Sequence, residues 1–137
     1  MKIFLDTSAL VALYNADDAH HKEARATMEM ISRGDIPFTR FYTTDYIFDE
    51  TLTFLSRVVK NHGLAVEVGK ALLESPFTSI INIDQDLFQK SWERFQSMEG
   101  PSFTDCASFT VMDDAGVRNA FSYDAHFRTA GYRTLGS

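Results

Sequence analysis

Little in this sequence of 137 residues points away from an ordinary globular protein. Cysteine is almost missing: Cys106 stands alone, which excludes a disulfide within the chain and makes a reducing cytoplasm the expected setting. Proline (3 residues) and glycine (7) never cluster, and no repeat or low-complexity tract interrupts the chain. One domain over residues 1–137 is therefore expected. No apolar run comes near the roughly 20 residues that cross a bilayer. The opening run Ile3-Phe4-Leu5 is cut by Asp6, too early for a secretory signal. A membrane partner is not expected.

Basic residues are scarce as well, 13 against 19 acidic, for a net charge of −6. A protein whose main task is to coat nucleic acid presents a basic surface that displaces counterions from phosphates, and this composition argues against that class. It does not exclude an enzyme that meets phosphate through divalent metal. Setting four of the 19 acids aside as metal ligands leaves 15 against 13 basic residues, close to balance. What the chain does have is bulk. Apolar residues make up 45% of it and twelve are phenylalanine, enough to fill one core without disulfides or structural metal.

Short apolar runs alternate with helical stretches. Lys2-Ile3-Phe4-Leu5 reads as a buried strand, followed by a helix through Ser8 to Leu13. Asp17 or Asp18 is placed to cap a second helix, through Ala24, Met28 and Ile31, that stops at Gly34. After a short strand at Phe41-Tyr42-Thr43, Thr44 or Asp45 opens a helix in which Phe48, Leu52, Leu55 and Val59 fall at helical spacing. Gly63 is its expected stop. A helix over about 65–73 precedes a strand at Ser79 to Ile83, and Asp84 or Asp86 caps the next helix, Leu87 to Met98. Ser102 and Asp105 are spaced as a capping box for a helix that Gly116 closes. Strands at Ala120 to Tyr123 and Tyr132 to Leu135 follow. Strands separated by helices predict an α/β fold, a parallel twisted sheet with helices on both faces.

In such sheets ligands bind beyond the carboxyl ends of the strands. Asp6 follows the first strand and Asp124 a later one, while Asp105 and Glu50 lie in the early turns of their helices. Each acid also has a local reading: Asp6 and Asp124 as helix caps, Asp105 as a partner of the helix dipole, Glu50 as solvated charge. The two kinds of role are compatible, because a capping carboxylate keeps an oxygen to offer. Convergence would be costly without cations, since two carboxylates about 4 Å apart repel by roughly 4 kcal/mol at an effective dielectric near 20. Mg²⁺ or Mn²⁺, hard cations that take oxygen ligands, would offset that repulsion.

These residues carry a resemblance. Ile3-Phe4-Leu5-Asp6-Thr7-Ser8 resembles the opening of PIN domains, especially the VapC-type toxins of toxin–antitoxin pairs. Asp49 and Glu50 stand where that family has a helical glutamate, and the family position selects Glu50. Phe103-Thr104-Asp105 resembles the third acidic motif and Ser122-Tyr123-Asp124-Ala125-His126-Phe127 the fourth, with Ser122 where threonine is common. The match runs along nearly the whole chain in the family's order. The resemblance implies a PIN-like fold and an endoribonuclease that holds Mg²⁺ or Mn²⁺ at Asp6, Glu50, Asp105 and Asp124. It also implies a homodimer, an RNA substrate and a cognate antitoxin. Thr7, Ser8, Thr104 and Ser122 neighbour the acids and are expected to orient ligands or water.

Two further readings keep the fold: a housekeeping RNA-processing nuclease with no antitoxin, and a catalytically silent binding module. The full set of four acids speaks against the second. A phosphatase of the haloacid-dehalogenase type needs a second aspartate two residues after the first, and that position is Ser8. His20 and His21 are read as capping or packing residues rather than ligands, and Cys106 as a small buried side chain. Phe41, Tyr42 and Tyr46 are read as core, with RNA bases as the alternative contact. Asp113 and Asp114, near a helix C-terminus, run against the dipole and have no account in the sequence.

Overall fold

A computed structural model describes residues 1–136. Its elements are β1 (Lys2–Leu5), α1 (Thr7–Tyr14), α2 (His21–Ser32), β2 (Arg40–Thr44), α3 (Asp45–Arg57), α4 (His62–Glu74) and β3 (Thr78–Ile81). They continue with α5 (Gln85–Ser97), α6 (Phe103–Ala115), β4 (Asn119–Ser122), α7 (Ala125–Thr129) and β5 (Arg133–Gly136). The sheet is parallel throughout, in the order β3-β2-β1-β4-β5. The chain therefore starts in the middle, builds β2 and β3 to one side, then crosses back to lay β4 and β5 on the other. Right-handed crossovers running in opposite directions put helices on both faces, the α/β arrangement that the alternating pattern predicts. None of the described helices is long and apolar enough to cross a membrane.

Central position explains why β1 is so apolar. Ile3 and Phe4 are fully buried, and Phe4 packs near Phe127, which in turn meets Phe109 edge-on at 5.0 Å. The buried Thr43 hydroxyl donates to the Leu5 carbonyl at 2.9 Å, pinning the carboxyl ends of β1 and β2 together. On the other side the Asp6 amide donates to the Phe121 carbonyl at 3.2 Å, so the ladder with β4 continues one residue past β1. These bonds fix the edge at which the acids emerge.

Several boundaries differ from the sequence reading (β3 ends at Ile81, not Ile83), and three of the differences have a local reason. Helix α3 stops at Arg57, not near Gly63: Lys60 takes a left-handed φ of 61°, and the Asn61 side chain caps α4 by accepting from the Leu64 amide at 3.0 Å. Gly63 lies inside the first turn of α4. Neither Asp17 nor Asp18 caps α2. Asp18 Oδ1 accepts from the His20 amide at 2.8 Å within a turn, and the helix starts only at His21. The last strand begins at Arg133, after Tyr132 has been spent on the core. By contrast, Ser102 and Asp105 form the full reciprocal capping box, and Gly116 closes α6 in the left-handed conformation with φ 69°.

The unexplained Asp113 has a partner set. It accepts from Arg94 Nη2 at 2.5 Å and lies 2.7 Å from the Tyr132 hydroxyl, with Arg118 at 3.5 Å. Burial pushes its pKa up, but the Arg94 and Tyr132 hydrogen bonds and the two cations outweigh this and hold it below the ordinary carboxylate value. The pairing offsets the unfavourable dipole and ties α5, α6 and the approach to β5 together. Cys106 is buried in α6, as a small side chain should be, and burial raises its thiol pKa. Replacing Tyr132 with Phe should cost about 1–3 kcal/mol, since it strips a buried partner from Asp113 and from the Phe109 carbonyl. Urea unfolding should show a lower midpoint at unchanged slope; an unaltered midpoint would mean the hydroxyl contributes nothing to the fold.

Candidate active site

Asp6 leaves β1 at its carboxyl end and is only 3% exposed. One of its oxygens, Oδ2, accepts from Ser8 Oγ at 2.7 Å and from Ser122 Oγ at 2.8 Å. Each serine oxygen is itself fed by a backbone donor, Ser8 by the Tyr123 amide at 2.9 Å and Ser122 by the Asp124 amide at 3.0 Å. With those lone pairs occupied, both hydroxyl protons are steered toward Asp6, and the carboxylate is locked in one orientation. Burial is nonetheless the larger effect. It pushes the Asp6 pKa up to about 6, with the two serines opposing and the nearby charges of Asp105 and Asp124 adding to the rise.

The other acids arrive on helix starts. Asp105 is buried at the third position of α6, where Oδ2 accepts from the Ser102 amide at 3.1 Å. Burial raises its pKa first, the Ser102 bonds oppose that, and Asp124 raises it further. Asp124 caps α7, Oδ1 accepting from the His126 amide at 2.9 Å. Glu50 projects from the second turn of α3 and is the most exposed of the four. Burial lifts its pKa, the Thr7 hydroxyl opposes, and Asp105, Asp124 and Asp49 add to the rise.

All four line one cleft of about 530 Å³ at the carboxyl edge of β1 and β4. Asp49 does not: it faces an adjoining hollow of about 540 Å³ with Tyr46, Arg57 and Phe103, and Glu50 borders both. Of the residues expected to orient ligands, Thr7, Ser8 and Ser122 touch the acids or line the cleft with them, whereas Thr104 faces the adjoining hollow. Tyr46 borders that hollow too, while Phe41 and Tyr42 pack against the core.

Four lining residues escape a reading of the sequence. Phe54 stands four residues after Glu50 and so shares its helix face. His20 stacks on Tyr123 with ring centroids 4.2 Å apart, while its neighbour His21 bonds the Ala12 carbonyl at 2.8 Å and packs inward. Asp18 joins them at the rim. His126 brings Nδ1 to 2.9 Å from Asp124 and 3.6 Å from Asp105. Its sequence signals are a position two residues past a capping aspartate and a place inside the segment that resembles the fourth motif.

The donor chemistry fits a hard divalent cation. The lining holds the carboxylates of Asp6, Asp18, Glu50, Asp105 and Asp124, and no lysine or arginine is among the described residues that form it. Three acids whose pKa values are raised in concert are acids short of positive charge. Folding without metal should therefore favour their protonated forms. An acid whose pKa is higher folded than unfolded binds protons more tightly when folded, so stability is greatest below the unfolded value and is lost as pH rises through the folded one. For Asp6 that window runs from 3.8 to about 6. In chelator the melting temperature should fall across that window, and Asp6→Asn should flatten the decline. A metal-free protein that gains stability from pH 4 to 6 would contradict this electrostatic account.

Comparison with known proteins identifies the family. The PIN domain family matches residues 3–131. The chain is 34% identical over 133 residues to the 23S rRNA-specific endonuclease VapC20 of Mycobacterium tuberculosis, covering 95% of each. It is 28% identical over 130 residues to a VapC ribonuclease of Archaeoglobus fulgidus, covering 93% of this chain and 80% of the relative. The crystal structure of Mycobacterium tuberculosis VapC20, described as a sarcin-ricin loop cleaving toxin, superposes with a TM-score of 0.84 at 32% identity over 95% of each chain. This chain belongs to the PIN domain family.

Proposed function

We infer that the chain is an endoribonuclease, the toxin of a toxin–antitoxin pair, which cuts RNA with Mg²⁺ or Mn²⁺ held by Asp6, Glu50, Asp105 and Asp124. The observation that carries this reading is the meeting of the four acids in one cleft without lysine or arginine among its described lining residues. A bound cation would supply Lewis-acid stabilisation of phosphate charge and a lowered pKa for the attacking water.

The chain's own residues divide the remaining work. Ser8 and Ser122 hold Oδ2 of Asp6, leaving its other oxygen to face the cleft as a fixed ligand. The capping box does the same for Asp105, and the His126 amide fixes one oxygen of Asp124. Preset ligands of this kind cost little reorganisation when substrate arrives. Glu50 is more exposed than the other three and would complete the ligand set from α3. Thr7 donates to Glu50 and is held in turn by the Thr51 hydroxyl at 3.1 Å. Arg57, in the adjoining hollow, is a cation within reach of the RNA backbone.

The substrate class is RNA, and the 23S rRNA specificity of the Mycobacterium tuberculosis relative makes ribosomal RNA the first to try. A cytoplasmic location and an antitoxin partner go with this reading. A homodimer is supported by the exposed aromatics of α5: Phe88, Trp92 and Phe95 offer an apolar face for a second copy.

The test is cleavage of ribosomal RNA in purified ribosomes, mapped by primer extension, with Mg²⁺ or Mn²⁺ and with chelator. Wild type should cut at a discrete site only with metal. Asp6→Asn should lower the rate by at least about a hundredfold, because loss of even an outer partner of a metal site costs 10- to 100-fold. Its circular dichroism should match wild type. Full activity in a folded Asp6→Asn variant would remove the assignment.

A further inference from the structure

Among the described residues that line the cleft, His126 brings a ring nitrogen close to the acids. Its Nδ1 lies 2.9 Å from Asp124 Oδ1 and 3.6 Å from Asp105 Oδ2, and one donor atom from each of the three residues falls within 4.8 Å of the others. The atom is buried yet has no hydrogen-bond partner among the described residues. Proximity to Asp124 does not satisfy it, because Oδ1 is already engaged by the backbone amide of the same histidine at 2.9 Å and the ring nitrogen is not aligned for a hydrogen bond. The far edge of the ring runs beside Gly100, whose φ of 113° carries the backbone past it; a Cβ there would stand 3.6 Å from Nε2. The ring, 43% exposed, thus lies between the Gly100 loop and the acids, with Nδ1 on the side of the acids. With the ring proton on Nε2, the Nδ1 lone pair faces two carboxylate oxygens at this range, and a cation held among the three would offset their repulsion.

We propose that His126 is a ligand of the metal site: Nδ1 supplies a nitrogen donor beside the oxygens of Asp105 and Asp124. The proposal rests on the reading of the four acids as metal ligands and adds a specificity to it. Mg²⁺ is served best by oxygen donors alone, whereas imidazole raises affinity for transition metals. A site with one imidazole therefore favours Mn²⁺ over Mg²⁺ more than carboxylates alone would. The role also explains why a histidine sits two residues after the cap. The helical start that lets Asp124 accept the 126 amide places the 126 side chain on the same side as the carboxylate.

The test reads binding rather than cleavage. Pulsed electron paramagnetic resonance of the Mn²⁺-loaded wild-type protein should show the nitrogen modulation of a coordinated imidazole. That signal should vanish in His126→Gln and persist in His20→Gln, the control for the other histidine lining the cleft. Calorimetric titration should show Mn²⁺ affinity falling about 10- to 100-fold in His126→Gln, with Mg²⁺ affinity changed far less. Mn²⁺ bound without nitrogen modulation, or modulation lost only in His20→Gln, would overturn the role of His126 and leave the four acids in place. A wild-type protein that binds no Mn²⁺ at all would overturn both, so the two failures are told apart. A Mn²⁺-loaded wild-type spectrum without nitrogen modulation overturns the proposal even if a variant fails to fold.

Discussion

Like charges brought out of water need a reason to stay together, and the carboxyl edge of β1 and β4 is built around that need. Asp6 is almost fully buried, and Asp105 is buried beside it with Asp124 close enough to shift its proton affinity. Hydroxyls and amides, not cations, hold these acids. Ser8 and Ser122 bind Asp6, the Ser102 amide binds Asp105 and the His126 amide binds Asp124. Dipoles of this kind orient a carboxylate without cancelling its charge. The arrangement is preset for a positive charge that comes from outside the polypeptide.

The topology makes such a gathering possible. Because β1 is central and the chain builds outward first to β2 and β3 and later to β4 and β5, the loops after β1 and β4 leave the sheet side by side. That is the switch point where open α/β sheets bind ligands. The Asp6 amide, bonded to the Phe121 carbonyl, extends the ladder far enough to hold its own side chain at the edge. Helices α3 and α6 then bring Glu50 and Asp105 in from either side. The core serves the same end: Phe4, Phe109 and Phe127 join β1, α6 and α7, the three elements that carry or border Asp6, Asp105 and Asp124.

Much of this is written locally in the chain. The apolar run ending at Asp6, the Ser102–Asp105 spacing and Gly116 are short-range signals, and each forms as its residue types dictate. Asp124 as the cap of a short helix is another. The break between α3 and α4 is not legible, because no glycine or proline marks it; a lysine at positive φ, usually costly, is held there by the helices on either side. Asp18 and Asp113 show the same limit. Both look like local helix residues, yet Asp18 closes a local turn, and Asp113 pairs with Arg94 and Tyr132, contacts that only the assembled fold supplies. The approach of His126 to the Gly100 loop is likewise a contact between segments remote in sequence.

If the acids are short of positive charge, binding a divalent cation must drive off the protons that burial has made them hold. Calorimetry of Mn²⁺ binding in two buffers of different ionisation enthalpy counts those protons directly. The account predicts net proton release near pH 6, where Asp6 is about half protonated, and little or none at pH 8. Binding heats that are independent of buffer at both values would contradict it.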